Sequence, residues 1–181
     1  MVSVPEMSTG LVVVDRAARE AREQQLSPLA ARAAASRGRV KDEAPDALRT
    51  AFELDRDRVL HSKAFRRLKH KTQVFINPEG DHFVTRMSHT LQVTQVARAL
   101  AVALNLNETL TEAICLAHDC GHTPFGHTGE AALSDYVDGE WLHSEQGVRV
   151  FEVLEPCNLT HEVIDGIRAH TWKVKPPPET A

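Results

Sequence analysis

The chain has 181 residues, 42% apolar and 25% charged, with a formal net charge of −4. This length suits one domain with its own core, the composition is that of a soluble globular protein, and net acidity argues against a protein that coats nucleic acid. Cys115, Cys120 and Cys157 make an odd set with no CxxC pair, which argues against a disulfide scaffold or a cysteine-rich zinc site and fits a reducing cytoplasm.

Scarce aromatics and abundant alanine favour helices over sheets. The start, "MVSVPEMSTGLVVVD", has no basic leader and too short an apolar run to span a membrane, so it is expected to be loose. Helix-forming residues fill 15 to 35, and "SRGRVKDEAPDA" reads as a loop. From Leu48, apolar residues recur at helical spacing through Phe52, Val59, Phe65 and Leu68. The same region, "RDRVLHSKAFRRLKHK", holds seven Lys/Arg against the single acid Asp57. It reads either as a solvated helix face or as a lining for a confined anion.

Asn77-Pro78-Glu79-Gly80 is a turn by composition. Thr85 is placed to cap a helix carrying His89, Val93, Val96 and Leu100 on one face, taken as the inward face. Asn107 caps the next, where Leu110, Ile114 and His118 lie four apart. Gly121, Pro124 and Gly126 end it in a loop, and shorter helices are expected over 129–137, 143–155 and 160–169. Strand patterning is absent, so the predicted fold is all-α. The chain ends "HTWKVKPPPETA", a stiff proline-rich connector. The predicted layout is an N-terminal extension over 1–45, a metal-dependent domain over 46–172 and a proline-rich tail over 173–181.

The chemistry concentrates in "LAHDCGHTPFGHTGE", residues 116–130. His118 and Asp119 are neighbours at a helix end and differ by roughly 100° in direction, so a third ligand must come from another element. His89 is the best candidate: the two helices share a short linker, should run antiparallel, and so set His89 and His118 in one layer. Imidazole with carboxylate suits Mn²⁺, Fe, Co or Zn²⁺, and Mg²⁺ with waters. His127 and Glu130 are three apart as the next helix begins, and a carboxylate-oriented histidine is a poised acid or base. His122 lies beside them. Arg86, one turn before His89, can set a guanidinium against anionic groups, with Arg66, Arg67 and Lys71 as further phosphate contacts.

On these residues the chain resembles the HD-domain phosphohydrolases, specifically the deoxynucleoside triphosphate triphosphohydrolases. The matching pieces are "SRGR", "DRDRVLHSKAFRRLKHKTQVF", "HFVTRMSHTLQVTQVARALA", "EAICLAHDCGHTPFGHTGEAAL", "HSEQGVRV" and "LTHEVIDGIRAHTW", in family order over about residues 36 to 172. The resemblance implies an all-helical HD fold. It makes His89, His118 and Asp119 metal ligands, Arg86 a phosphate contact, and His122, His127 and Glu130 residues around the scissile phosphate, with His127 and Glu130 the catalytic pair. It implies hydrolysis of a dNTP to a deoxynucleoside and triphosphate, a divalent metal with Mn or Mg first, a homo-oligomer, no membrane and a cytoplasmic location. The family's later aspartate ligand, in a stretch resembling "ADRIAYINHD", has no counterpart after Trp172; Asp135, Asp138 and Asp165 lie in other blocks. The fold is therefore expected to be C-terminally incomplete, the N-terminal part of a longer protein. Two alternatives accompany this reading: a phosphohydrolase acting on another nucleotide such as a nucleoside monophosphate, and a catalytically inactive nucleotide-binding fragment. Binding of single-stranded nucleic acid is disfavoured because Phe65 is the lone aromatic of the basic stretch.

Overall fold

The structure is a computed structural model that describes residues 13–71, 85–137 and 139–171. The expected turn at 77–80, the proline-rich tail and Asp138 lie outside the described residues. Eight α-helices carry the described chain: α1 Arg16–Glu23, α2 Ala51–His61, α3 Lys63–Arg67, α4 Arg86–Ala103, α5 Glu108–Ala117, α6 Gly126–Ser134, α7 His143–Arg149 and α8 His161–Ala169. Among the described residues there is no strand beyond an isolated bridge between Arg39 and Thr160, in keeping with the all-α expectation. No helix among them is long and apolar enough to cross a membrane.

Local chemistry sets several boundaries. Thr50 caps α2 in a reciprocal box with Glu53. Thr85 accepts from Ser88 N at the start of α4, and Asn107 accepts from Leu110 N at the start of α5, as the sequence predicts. The expected helix over 15 to 35 is shorter. It stops at Glu23, and after Pro28 the chain forms only a 3₁₀ turn at Ala33–Ala35. Arg32 turns back and donates to the carbonyls of Glu23, Leu26 and Ser27, closing the broken segment with its side chain. The 143–155 helix also divides: α7 ends at Arg149 and the chain widens into a π-turn at Val150–Leu154.

The central helix is α5, packed against α2, α4 and α8. Phe52, Val59, Phe65 and Leu68 enter the core beside Leu110, Ala113, Leu116 and Ala117, whereas Leu48 precedes the helix and stays exposed. The α4–α5 contact corrects the sequence reading. The buried side of α4 is Arg86, Thr90, Thr94 and Ala101, not the stripe ending in Val96 and Leu100, which are 61% and 58% exposed. Helix α4 packs on α5, and apart from Arg86 its buried side chains are small, as are Ala113 and Ala117 of α5, a composition that lets two helices approach closely. Bulkier Leu91, Val96, Leu100 and Val102 are left outside.

One buried ion pair ties the N-terminal loop to this core. Arg39 reaches the fully buried Asp55 of α2, whose other oxygen accepts from Thr160 N at 2.9 Å and Thr160 Oγ1 at 2.6 Å, ahead of α8. Removing one partner of such a pair strands the other charge. Asp55→Ala is therefore expected to cost about 3–5 kcal/mol, read as a lowered denaturant midpoint with an unchanged slope.

Candidate metal centre

The end of α5 and the loop after it are held from three sides. Gly121 permits the closest approach: a Cβ there would fall 2.1 Å from His143 O and 2.3 Å from Gly147 N, so α7 can lie against the loop only because that position has no side chain. Gly126 has φ +57°, in the left-handed region, and a Cβ there would lie 2.5 Å from Arg86 Nη2. Behind the loop, Lys71 Nζ donates to Cys120 O at 2.8 Å. Its pKa is lowered chiefly by burial, with Arg86 and Arg67 adding like charge.

At the centre is Asp119. Arg86 Nη1 donates to its Oδ2 at 3.0 Å, while His118 Nε2 and His122 Nε2 face its Oδ1 at 3.1 and 3.2 Å. His89, His118 and Asp119 present ligand atoms all within 4.8 Å of one another, so α4 and α5 bring the three candidate ligands together. His118 Nδ1 lies 2.7 Å from Cys115 O. A carbonyl only accepts, so Nδ1 carries the proton and the neutral ring turns its Nε2 lone pair toward a carboxylate oxygen. Burial lowers the His118 pKa, disfavouring a proton there. Two electron pairs facing each other at 3.1 Å call for a cation between or beside them, and an imidazole fixed by a backbone carbonyl is how metal-ligating histidines are oriented. The donor set therefore fits a divalent metal. Burial raises the Asp119 pKa, but the His122 hydrogen bond, the facing His118 and His122 rings and the Arg86 guanidinium outweigh it, holding the carboxyl well below its usual range.

A second carboxylate, Glu130 on α6, sits beside this group. Its Oε1 is in close contact with His122 Nδ1, and its Oε2 lies 3.2 Å from both His127 Nδ1 and His143 Nδ1. His122 thus bridges the two carboxylates and stacks on His143 at a ring separation of 3.7 Å. The His127 side chain is 78% exposed, the outward edge of the cluster. Burial tends to raise the Glu130 pKa, and the facing imidazoles bring it below the ordinary value.

Of the predicted phosphate contacts, Arg86 is buried, with its Nε unpartnered among the described residues. Lys71 lies close behind it, while Arg66 and Arg67 are on the exposed side of α3. Arg56 and Arg58 of the basic stretch pair with Asp57, Glu112 and Glu43, so this part of the stretch is a salt-linked helix face. Asp165 is engaged by Arg37.

His143 and His170 were not singled out from the sequence. His143 Nε2 meets His170 Nε2 at 3.0 Å, and His170 Nδ1 lies 2.6 Å from Ile167 O. A signal existed for His170: it continues the buried Val163–Ile167 row of α8 at a step of three. For His143, the clue was Gly147 four residues on, the glycine that lets α7 close on Gly121.

An HD-domain family model matches residues 86–179. The chain belongs to the HD-domain family. The deoxyguanosinetriphosphate triphosphohydrolase-like protein of Caldanaerobacter subterraneus subsp. tengcongensis is 59% identical over 155 residues, 83% of this chain and 46% of that relative. Similarly named proteins of Desulfatibacillum aliphaticivorans and Clostridium perfringens strain SM101 are 55% and 56% identical over 81% and 74% of this chain, and 43% and 40% of their own lengths. The chain thus spans less than half the length of these curated relatives.

Burial, with His122 beside it, lowers the His143 pKa to about 4 against the charge of Glu130. Protons then bind the unfolded chain more readily than the folded one below the ordinary histidine value, so this contribution to stability is lost as pH falls from about 6.5 to about 4. His118 and His170, lowered by burial, act in the same direction. Thermal unfolding of the metal-free chain should show a falling midpoint across that window, and His143→Asn should flatten part of the fall.

Proposed function

We propose that the chain carries the metal-binding half of a phosphohydrolase that converts a dNTP and water to a deoxynucleoside and triphosphate. The observation that carries this reading is the convergence of His89, His118 and Asp119 from α4 and α5 within 4.8 Å in an HD-domain chain. The relatives' names supply the nucleotide class. His89, His118 and Asp119 would hold the divalent ion, with Mn²⁺ or Mg²⁺ first and Fe, Co or Zn²⁺ compatible with the donor set. When bound, the ion would supply Lewis acidity toward a phosphoryl oxygen and water.

The chain's own groups do the rest. Arg86, fixed on Asp119 and with its Nη2 against Gly126, sets a guanidinium beside the metal-binding carboxylate, where it would neutralise charge growing on phosphate oxygens. Gly126 leaves room for that guanidinium. Lys71 adds a second positive charge from behind the loop. His127, hydrogen-bonded to Glu130 and open to solvent, holds the proton delivered to the departing 5′ oxygen of the sugar. His122 links Glu130 to Asp119, so the carboxylate that orients His127 and the carboxylate that would hold the metal are positioned together. The proposal includes a homo-oligomer, supported by the uncovered Val96, Leu100 and Val102 side of α4.

Incubation with dGTP and Mn²⁺ tests it, with deoxyguanosine measured by chromatography and phosphorus products by ³¹P NMR. Free triphosphate in equal amount to deoxyguanosine is expected, lost on chelation and in Asp119→Asn. Orthophosphate released from nucleoside monophosphates would instead assign the rival substrate. Retained dGTP binding without turnover would assign a nucleotide-binding role. Within an active protein, His127→Ala should lower turnover about 10²–10⁴-fold with Mn²⁺ binding unchanged. Mn²⁺ at 100 times its dissociation constant should also stabilise the wild-type chain by roughly 2.7 kcal/mol, an effect absent in Asp119→Asn.

A further inference from the structure

His170 is the contribution of α8 to the histidine cluster. Its ring meets His118 edge to face with centroids 5.3 Å apart, and its Nε2 lies 3.0 Å from His143 Nε2. The ring is fixed on its own helix by Ile167 O, 2.6 Å from Nδ1. Where the ring falls is therefore decided by where α8 lies. Val163, Ile164 and Ile167 hold α8 against the core. Apolar burial is non-directional, however, and does not by itself set the tilt or register of a helix of nine residues.

The start of α8 is gripped by directional bonds from a distant part of the chain. Glu162 is buried and accepts from Arg37 N at 2.7 Å and from Ser36 Oγ at 2.8 Å, across 126 positions in the second case. The Arg37 guanidinium adds ion pairs to Glu162 at 3.5 Å and to Asp165. His161 N donates to Gly38 O at 3.0 Å, beside the bridge between Arg39 and Thr160. Arg39 in turn fastens the 36–39 loop to α2, through the buried Asp55 and through Ala51 O at 3.0 Å. The loop thus ties α8 to α2 as a strap.

Burial alone would raise the Glu162 pKa, but the hydrogen bonds from Arg37 N and Ser36 bring it below the ordinary value. The strap is therefore made to an ionised carboxylate, the stronger kind of acceptor. The lever is short. Glu162 and His170 are separated by about 12 Å along the helix axis, so a tilt of about 10° at Glu162 moves the far end by roughly 2 Å. A shift of that size is comparable with the 3.0 Å between the His143 and His170 nitrogens.

We propose that Glu162 is a positioning residue: by clamping the 36–39 loop it sets the tilt of α8 and so places His170 against His118 and His143. The sequence motif "SRGR" acquires a task at the histidine cluster without touching it. Ser36 and Arg37 supply the bonds to Glu162, and Arg39 supplies the anchorage on α2. The claim concerns ring placement and does not depend on the substrate, so a wild type without dGTP turnover would sink the proposed reaction and leave this test intact.

The test is nuclear Overhauser spectroscopy of histidine ring protons in the metal-free 181-residue chain, with far-UV circular dichroism as the check on folding. Wild type should show a His118–His170 cross-peak and a His122–His143 cross-peak, the latter from rings stacked at 3.7 Å that do not belong to α8. Glu162→Ala should lose the first and keep the second. Glu162→Gln, whose amide can still accept from Arg37 N and donate to Ser36 Oγ, should restore the first. Should Glu162→Ala fail to fold, Ser36→Ala removes one of the two bonds from the loop side and should weaken the same cross-peak selectively. Three results overturn the proposal: a wild type without the His118–His170 cross-peak, a folded Glu162→Ala or Ser36→Ala with both cross-peaks at wild-type intensity whatever its melting temperature, and a folded variant in which both cross-peaks fall together.

Discussion

Everything in the centre depends on one buried carboxylate faced by a guanidinium and two imidazoles. Asp119 takes a hydrogen bond from Arg86 on one oxygen and faces His118 and His122 on the other. An unpaired anion at this depth would be costly. The protein does not neutralise it with a proton; the neighbouring charges hold the carboxyl ionised. The cluster is thus an electrostatic socket whose stability and ligand affinity are linked: what favours a cation there also favours the folded chain.

The scaffold around the socket is built from unusually close approaches. Helix α4, whose buried side includes Thr90, Thr94 and Ala101, packs on α5, Gly121 lies on Gly147 of α7, and Gly166 of α8 lies on Ile114. These contacts bring backbone segments near enough for histidines from α4, α5, α7 and the end of α8 to share a few ångströms. Larger residues at these points would push the helices apart and separate the imidazoles long before the helices themselves were lost. The site is consequently a property of interhelical distance, and Asp55 with Arg39 and Thr160 contributes to it from a distance by fixing α8 against α2.

Two kinds of proton control coexist in the cluster. His127 is exposed and oriented by a carboxylate, which suits exchange with solvent and substrate. His118, His143 and His170 are more enclosed and shifted toward neutrality by burial. The same residue type thus divides into proton carriers and electron-pair donors, and depth in the fold decides which role a ring can play.

The residues by themselves determined much of this. Thr85 and Asn107 cap their helices because a side-chain oxygen at those positions meets free backbone N–H groups, a local interaction legible in any context. The pairing of His89 with His118 and Asp119 followed from two helices joined by a short linker, and the 127–130 spacing set His127 beside Glu130. The inward side of α4 was misread because hydrophobicity ranks Val96 and Leu100 above Thr90 and Thr94, whereas close helix packing selects for small side chains. His143 and His170 lie 27 residues apart on different helices, and nothing local marks their meeting. Only the tertiary structure, through Gly121 against α7 and α8 against α5, brings their Nε2 atoms to 3.0 Å, because the approach of two rings from different helices depends on packing that sequence spacing does not specify.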